Sequence, residues 1–567
     1  TPHTPNLTPR PMRLLLPVLA LFLLGLPAQA QPAADYIVHN ATVYTVDADA
    51  PTAGAFAVRG DRLLMVGAEA TVLGAYPDAE RIDAGGRTIV PGLIDAHVHL
   101  MGLSRALLQA DLVGTPSKQA VIDTLAAFAA DLPEGAWLQG RGWDQNDWGN
   151  GGFPTREDLD AAFPDRPIYL ERIDGHAAWV NTAAIEQTVG MEALQAMDDP
   201  QGGSIRRDAD GVPTGILIDA AAGIIQSDIP AYSDDRLDEG LAQALERTTR
   251  YGLTSVHDAG ISRADVERYQ RFIADDRFTV RLYGMIGGRG DTFDHFCESG
   301  TIATGDRLRV QSVKLYVDGA LGSRGAALLD DYSDDPGNRG LLLTTPDQLR
   351  QNVMAAVRCG FQVNTHAIGD RGNRVTLDAY EAAFDSLGQG IGRHRVEHAQ
   401  ILHPDDLPRF AEMDVIASVQ PTHATSDMPW AEDRLGEERI QGAYAYHSLE
   451  ESGARLAYGS DFPVEDVDPI EGFHAAVTRQ DASGMPEGGW LPQERTSRET
   501  TLHAFTLGAA YAAFQEQEIG SLEPGKKADF VILSQDIMEV PADDLLNTSV
   551  VATYVGGTLV YSANGWE

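Results

Sequence analysis

Pro91-Gly92-Leu93-Ile94-Asp95-Ala96-His97-Val98-His99 is an apolar run that ends in His-x-His. Alternate residues of a β-strand project to the same side, so a buried strand ending this way aims two imidazoles at one point. A metal site requires that geometry. One such histidine fits a hydrogen-bonded core position; two at this spacing point to metal ligands.

Outward from this run the chain alternates between strand-like and helix-like segments, the signature of a parallel α/β fold. Strands are expected to end near His99, Asp174, Asp258, Lys314, His366, His398, Gln420 and Asp461. Eight such units predict a (β/α)8 TIM barrel over 91–509, with its polar residues at the strands' C-terminal ends. Residues 36–90 and 510–567 read instead as short β-rich runs, and the two ends are expected to pair into a composite β-sandwich. The stretch 131–249 is too long for one loop and helix. It contains four of the seven tryptophans and an Asp210-Gly211 hairpin, and is read as an insertion over the barrel mouth.

Composition limits the partners. The 83 acidic and 43 basic residues give a formal charge of −40, which disfavours nucleic acid and anionic membranes. Arg13, the apolar stretch 14–26 and Ala28-Gln29-Ala30 read as a signal peptide cleaved near Ala30. The expected location is periplasmic or secreted, with no stable membrane insertion after cleavage. Cys297 and Cys359 are the two cysteines. Export permits a bond between them, and two buried free thiols fit as well. A homo-oligomer is compatible with the sequence.

Further site candidates follow from strand ends. Only four lysines occur, yet Lys314 lies inside Val310–Val317, where Val313, Leu315 and Val317 form the opposite face. Lys314 therefore points into the barrel, and burial should lower its pKa. A neutral amine can take up carbon dioxide as a carbamate able to bridge two cations; the competing role is an ion pair with a carboxylate such as Asp461. His366 and His398 each end a strand-like run and supply neutral nitrogen ligands for a second ion. Asp461 ends the last run, where a carboxylate can bind metal and move the proton of an attacking water. Weaker candidates for substrate contact are His176, His257, Asp318, Arg324, Gln420 and Trp143. For Arg324, as for Arg339, a structural ion pair is favoured. Glu397 has the opposite strand parity to His398 and is expected outside the ligand shell.

The chain resembles the amidohydrolase superfamily, most closely the type 3 branch that holds N-substituted formamide deformylase. The marks are Pro91–His99, Asp174–Asn181, Val313–Arg324, Asn364–Asp370, Val396–His398, Gly459–Pro463 and Leu522–Phe530. The resemblance implies that His97, His99 and Asp461 hold one metal, that His366 and His398 hold a second, and that a carbamate on Lys314 bridges them. Two Zn²⁺ per chain suit this ligand set, with Mn²⁺, Fe²⁺ or Co²⁺ as alternatives. The expected activity is hydrolysis of a small non-peptide amide by a metal-bound hydroxide, with Asp461 as proton shuttle and the tryptophan-rich insertion shaping an apolar or aromatic pocket. Two alternatives stay open: a lactonase or esterase with the same site, and a small-molecule binding protein without turnover.

Overall fold

The computed structural model describes residues 33–567 except 131, 134, 150, 151, 564, 565 and 567. The expected signal segment at 1–30 lies outside the described residues. Eight parallel strands form a nearly closed barrel: β1 (Leu93–Val98), β2 (Leu253–Ile261), β3 (Arg281–Gly287), β4 (Leu308–Tyr316), β5 (Gln362–Ala367), β6 (Arg395–His398), β7 (Ile416–Val419) and β8 (Arg455–Tyr458). They pair in chain order from β1 to β8. Their outward side chains, such as Val313, Leu315 and Val363, join the main apolar core.

One strand differs from expectation. The run ending near Asp174 lies in the insertion, and Arg281–Gly287 takes its place in the barrel. Arg281–Gly287 carries no polar residue at its C-terminal end, so it lacked the mark used to find the others. Ile168–Arg172 has strand chemistry of its own, but it pairs with Leu138–Trp143 and Ala177–Val180.

Just beyond β8, main-chain bonds close the barrel. Asp461 N–H donates to His97 O (2.8 Å), and His99 N–H donates to Phe462 O (2.8 Å). Asp95 reinforces this seam by accepting from Ser460 N–H (3.0 Å) and Ser460 Oγ (2.6 Å). A Cβ on Gly459 would stand 2.5 Å from Asp95 Oδ1 and 2.6 Å from His97 N, so the close approach requires glycine.

The chain ends meet in one eight-stranded sheet. Phe530–Leu533 runs antiparallel to Glu80–Pro91, which lies parallel to Tyr36–Tyr44. Between β1 and β2, a six-stranded sheet runs from Ala110–Asp111 to the hairpin Gly203–Arg207/Pro213–Asp219. Its core holds Trp143, Trp148 and Trp179, with ring centroids 5.9–6.0 Å apart. Trp143 is fully buried and donates to Leu170 O (3.0 Å), so it stabilises the insertion and does not face a ligand. Cys297 and Cys359 are half-buried and joined in a disulfide between two barrel helices, Gly290–Ser299 and Pro346–Arg358, rather than standing as free thiols. Among the described residues no helix is long and apolar enough to cross a membrane.

Candidate metal centre

The strands bring the six expected ligands together at the C-terminal end of the barrel. Lys314 Nζ lies 3.0 Å from His97 Nε2. Asp461 Oδ1 lies 3.5 Å from His97 Nε2 and 3.2 Å from His99 Nε2. The His398 ring sits 4.9 Å from that of His97 and 4.5 Å from that of His366. His398 (φ 76°) and Asp461 (φ 64°) occupy the left-handed region, which costs a non-glycine residue about 1–3 kcal/mol. Surrounding contacts hold that strain where the side chains must converge.

Three histidines have one ring nitrogen fixed from behind, leaving the other directed inward. His97 Nδ1 is 2.5 Å from Glu397 Oε2, His99 Nδ1 is 2.9 Å from Ala259 O, and His398 Nδ1 is 2.9 Å from Gln420 Oε1. This is the supporting arrangement that metal-binding histidines use. Glu397 is thus outside the ligand shell but directly behind it. Gln420, expected near substrate, is buried and orients His398 instead.

Electrostatics favour the coordinating forms. Burial, aided by Lys314, keeps His97 below the usual imidazole range; burial aided by His176 does the same for His366, and burial aided by His366 does so for His398. Burial lowers the Lys314 ammonium to about 8, against the pull of Glu397, Asp461 and Asp258. Burial opposes ionisation of Asp461, but His97, His423 and His99 hold its carboxyl well below the usual range. Two buried atoms of the cluster, His366 Nε2 and Asp461 Oδ1, have no hydrogen-bond partner among the described residues. One ligand atom from each of His97, His99 and Asp461 lies within 4.8 Å of the others. An imidazole and carboxylate set with orphaned buried atoms fits a divalent cation.

Above the centre opens a cavity of about 1260 Å³. The insertion supplies Arg141, Glu171, Arg172, Asp174 and His176 to its wall. His176 Nδ1 is 2.6 Å from Asp219 Oδ1; burial works against its charge, but Asp219 raises it to about 9. The other weak candidates lie off the wall. Asp318 is fully buried, accepting from the N–H groups of Ala327, Ile368 and Gly369. His257 is buried beside Arg395, which donates to its Nδ1 (3.1 Å). Arg324 pairs with Asp334 (2.8 Å) and Arg339 with Asp331 (2.7 Å). Trp143, Trp148 and Trp179 do not line this cavity, because their rings pack in the insertion's own core; Tyr169, Tyr316 and Trp430 line it beside the charged groups.

Sequence reasoning missed His423. It sits in the first turn of the helix Pro421–Asp427, just past β7, where two-residue strand parity no longer applies. Its place beyond a barrel strand end was the available signal.

A barrel with a His-x-His strand end, a buried lysine and a strand-end aspartate defines a metal-dependent hydrolase. The chain belongs to the amidohydrolase family, whose model matches residues 80–561. It is 36% identical over 542 residues to the protein LONG AFTER FAR-RED 3 of Arabidopsis thaliana, covering 93% of this chain and 92% of the relative. It is 30% identical over 553 residues to N-substituted formamide deformylase of Arthrobacter pascens, covering 94% and 99%. Among solved structures it is similar to an uncharacterized metal-dependent hydrolase from Pyrococcus furiosus (29% identity, TM-score 0.69, covering 89% and 100%).

Proposed function

We propose that this chain hydrolyses small, non-peptide amides in an exported compartment. The observation that carries the reading is the convergence of His97, His99 and Asp461, whose buried Oδ1 has no hydrogen-bond partner among the described residues, at the floor of a large cavity. Those three residues would hold one divalent ion; Zn²⁺ fits, as do Mn²⁺, Fe²⁺ and Co²⁺. Lys314, as a carbamate, would join His366 and His398 in holding a second. Such ions supply Lewis acidity, acidifying water and polarising a carbonyl.

The chain's own residues do the rest. Asp461 accepts a proton from the attacking water as the C–O bond forms, and passes it to the leaving nitrogen as the C–N bond breaks. The products are a carboxylic acid and an amine. Arg141 donates to Ile173 O and Pro463 O, Arg172 pairs with Asp144 and Asp174, and Arg247 pairs with Asp466. Glu171 stands on the same wall. With these guanidinium groups engaged, the wall favours neutral or cationic amides over anionic ones. The likeness to N-substituted formamide deformylase supports N-substituted formamides as the first compounds to try. The Cys297–Cys359 disulfide supports export to an oxidising compartment.

A panel of N-substituted formamides, longer N-acyl amines, esters and lactones tests the reading. Stoichiometric amine release from amides is expected. Turnover of esters or lactones alone would replace the amidase with an esterase.

A further inference from the structure

The two carboxylate oxygens of Asp461 face different histidines. Oδ1 faces His97 and His99, whereas Oδ2 lies 3.5 Å from His423 Nε2. His423 has the same kind of rear support as His97. Its Nδ1 is 2.9 Å from Glu465 Oε1, which also accepts from Ser426 Oγ (2.6 Å). His398 likewise has Nδ1 occupied by Gln420, and its ring lies 6.0 Å from that of His423, within 16° of parallel. One ligand atom from each of His398, His423 and Asp461 falls within 4.8 Å of the others, as in the His97–His99–Asp461 set. All three residues are buried.

We propose that His398, His423 and Asp461 form an alternative seat for a second divalent ion, sharing Asp461 with the first seat and independent of a carbamate on Lys314. The inference rests on the metal-centre reading above and adds to it. Two imidazoles and a carboxylate suit Zn²⁺, Co²⁺ or Mn²⁺. The Glu465–His423 pair fixes the ring so that Nε2 faces the seat. Because His398 serves both arrangements, the second ion occupies either the lysine seat or this one. An uncarboxylated Lys314 therefore leaves the centre able to hold two ions.

The test is Co²⁺ binding to the metal-stripped full chain, read as equivalents retained after dialysis and as visible absorption from histidine-ligated cobalt. Lys314→Met removes the carbamate seat and is expected to keep close to two equivalents. Adding His423→Asn to that background should leave one. Glu465→Gln in the same background should weaken the second equivalent about 10–100-fold, and it tests the seat even if the His423 variant folds poorly. Loss of one equivalent in Lys314→Met alone, or two equivalents retained in the double variant, would overturn the proposal. Wild-type protein that binds no Co²⁺ would overturn it together with the whole metal-centre reading, whereas a single equivalent in wild type would remove this seat and the lysine seat and leave the His97–His99–Asp461 seat standing.

Discussion

His97 and Glu397, 300 residues apart, meet in the barrel interior with Nδ1 and Oε2 separated by 2.5 Å. The contact joins β1 to β6 and fixes the ring whose other nitrogen faces Lys314 and Asp461. Burial would raise the Glu397 carboxyl, but His97, Arg395 and Lys314 hold it below the usual range, so it stays ionised behind the histidine.

Glu397→Gln replaces that charge with a neutral amide of the same shape. Metal affinity is expected to fall on the order of 10–100-fold, measured by titrating metal-stripped protein. Unchanged affinity would make the contact a packing feature only.

Asp461→Asn removes the group proposed to move the proton. Amide turnover is expected to fall at least about 10²-fold, with the far-ultraviolet circular dichroism unchanged. Elemental analysis of the same sample separates a proton-transfer defect from metal loss.

The Cys297–Cys359 bond spans 62 positions and ties two barrel helices together. The double Cys→Ala variant is expected to lose about 2–4 kcal/mol in denaturant unfolding. Intact mass measured without and with reductant checks that the bond is present.

Stability should also depend on pH through Asp468, at the N-terminus of the helix Pro469–Thr478. Burial, aided by Asp466, raises its carboxyl to about 6. Between the ordinary carboxylate pKa near ~4 and that value, the folded chain binds more proton than the unfolded one. The resulting stabilisation is fully present at low pH and is lost as pH rises through about 6. Asp468→Asn keeps an oxygen for the cap to Ile470 N–H (2.9 Å) and removes the titration. The variant's Tm is expected to gain on wild type between pH 4 and 7; a constant difference would contradict this.

The barrel was legible because its chemistry stands at strand ends. His97, His366, His398 and Asp461 each stand at or just past the end of a strand-like run and Lys314 near the end of another, and the structure brings them together. Arg281–Gly287 escaped notice because it contributes no such residue. Trp143 misled because a large buried ring looks alike in sequence whether it packs against its own sheet or against a ligand. Gln420 and Asp318 were placed near substrate because they fall near the expected mouth of the barrel. Their carbonyl and carboxylate oxygens instead serve His398 and three backbone N–H groups. His423 depends on a helix turn and a partner 42 residues away, neither of which has a short-range periodicity.

The central claim is metal-dependent amide hydrolysis, and the most direct measurement is amine release before and after metal removal, with metal content followed by elemental analysis. Turnover of an N-substituted formamide should disappear with the bound metal and return when Zn²⁺, Mn²⁺ or Co²⁺ is restored. Full turnover by protein shown to be free of metal would contradict the account.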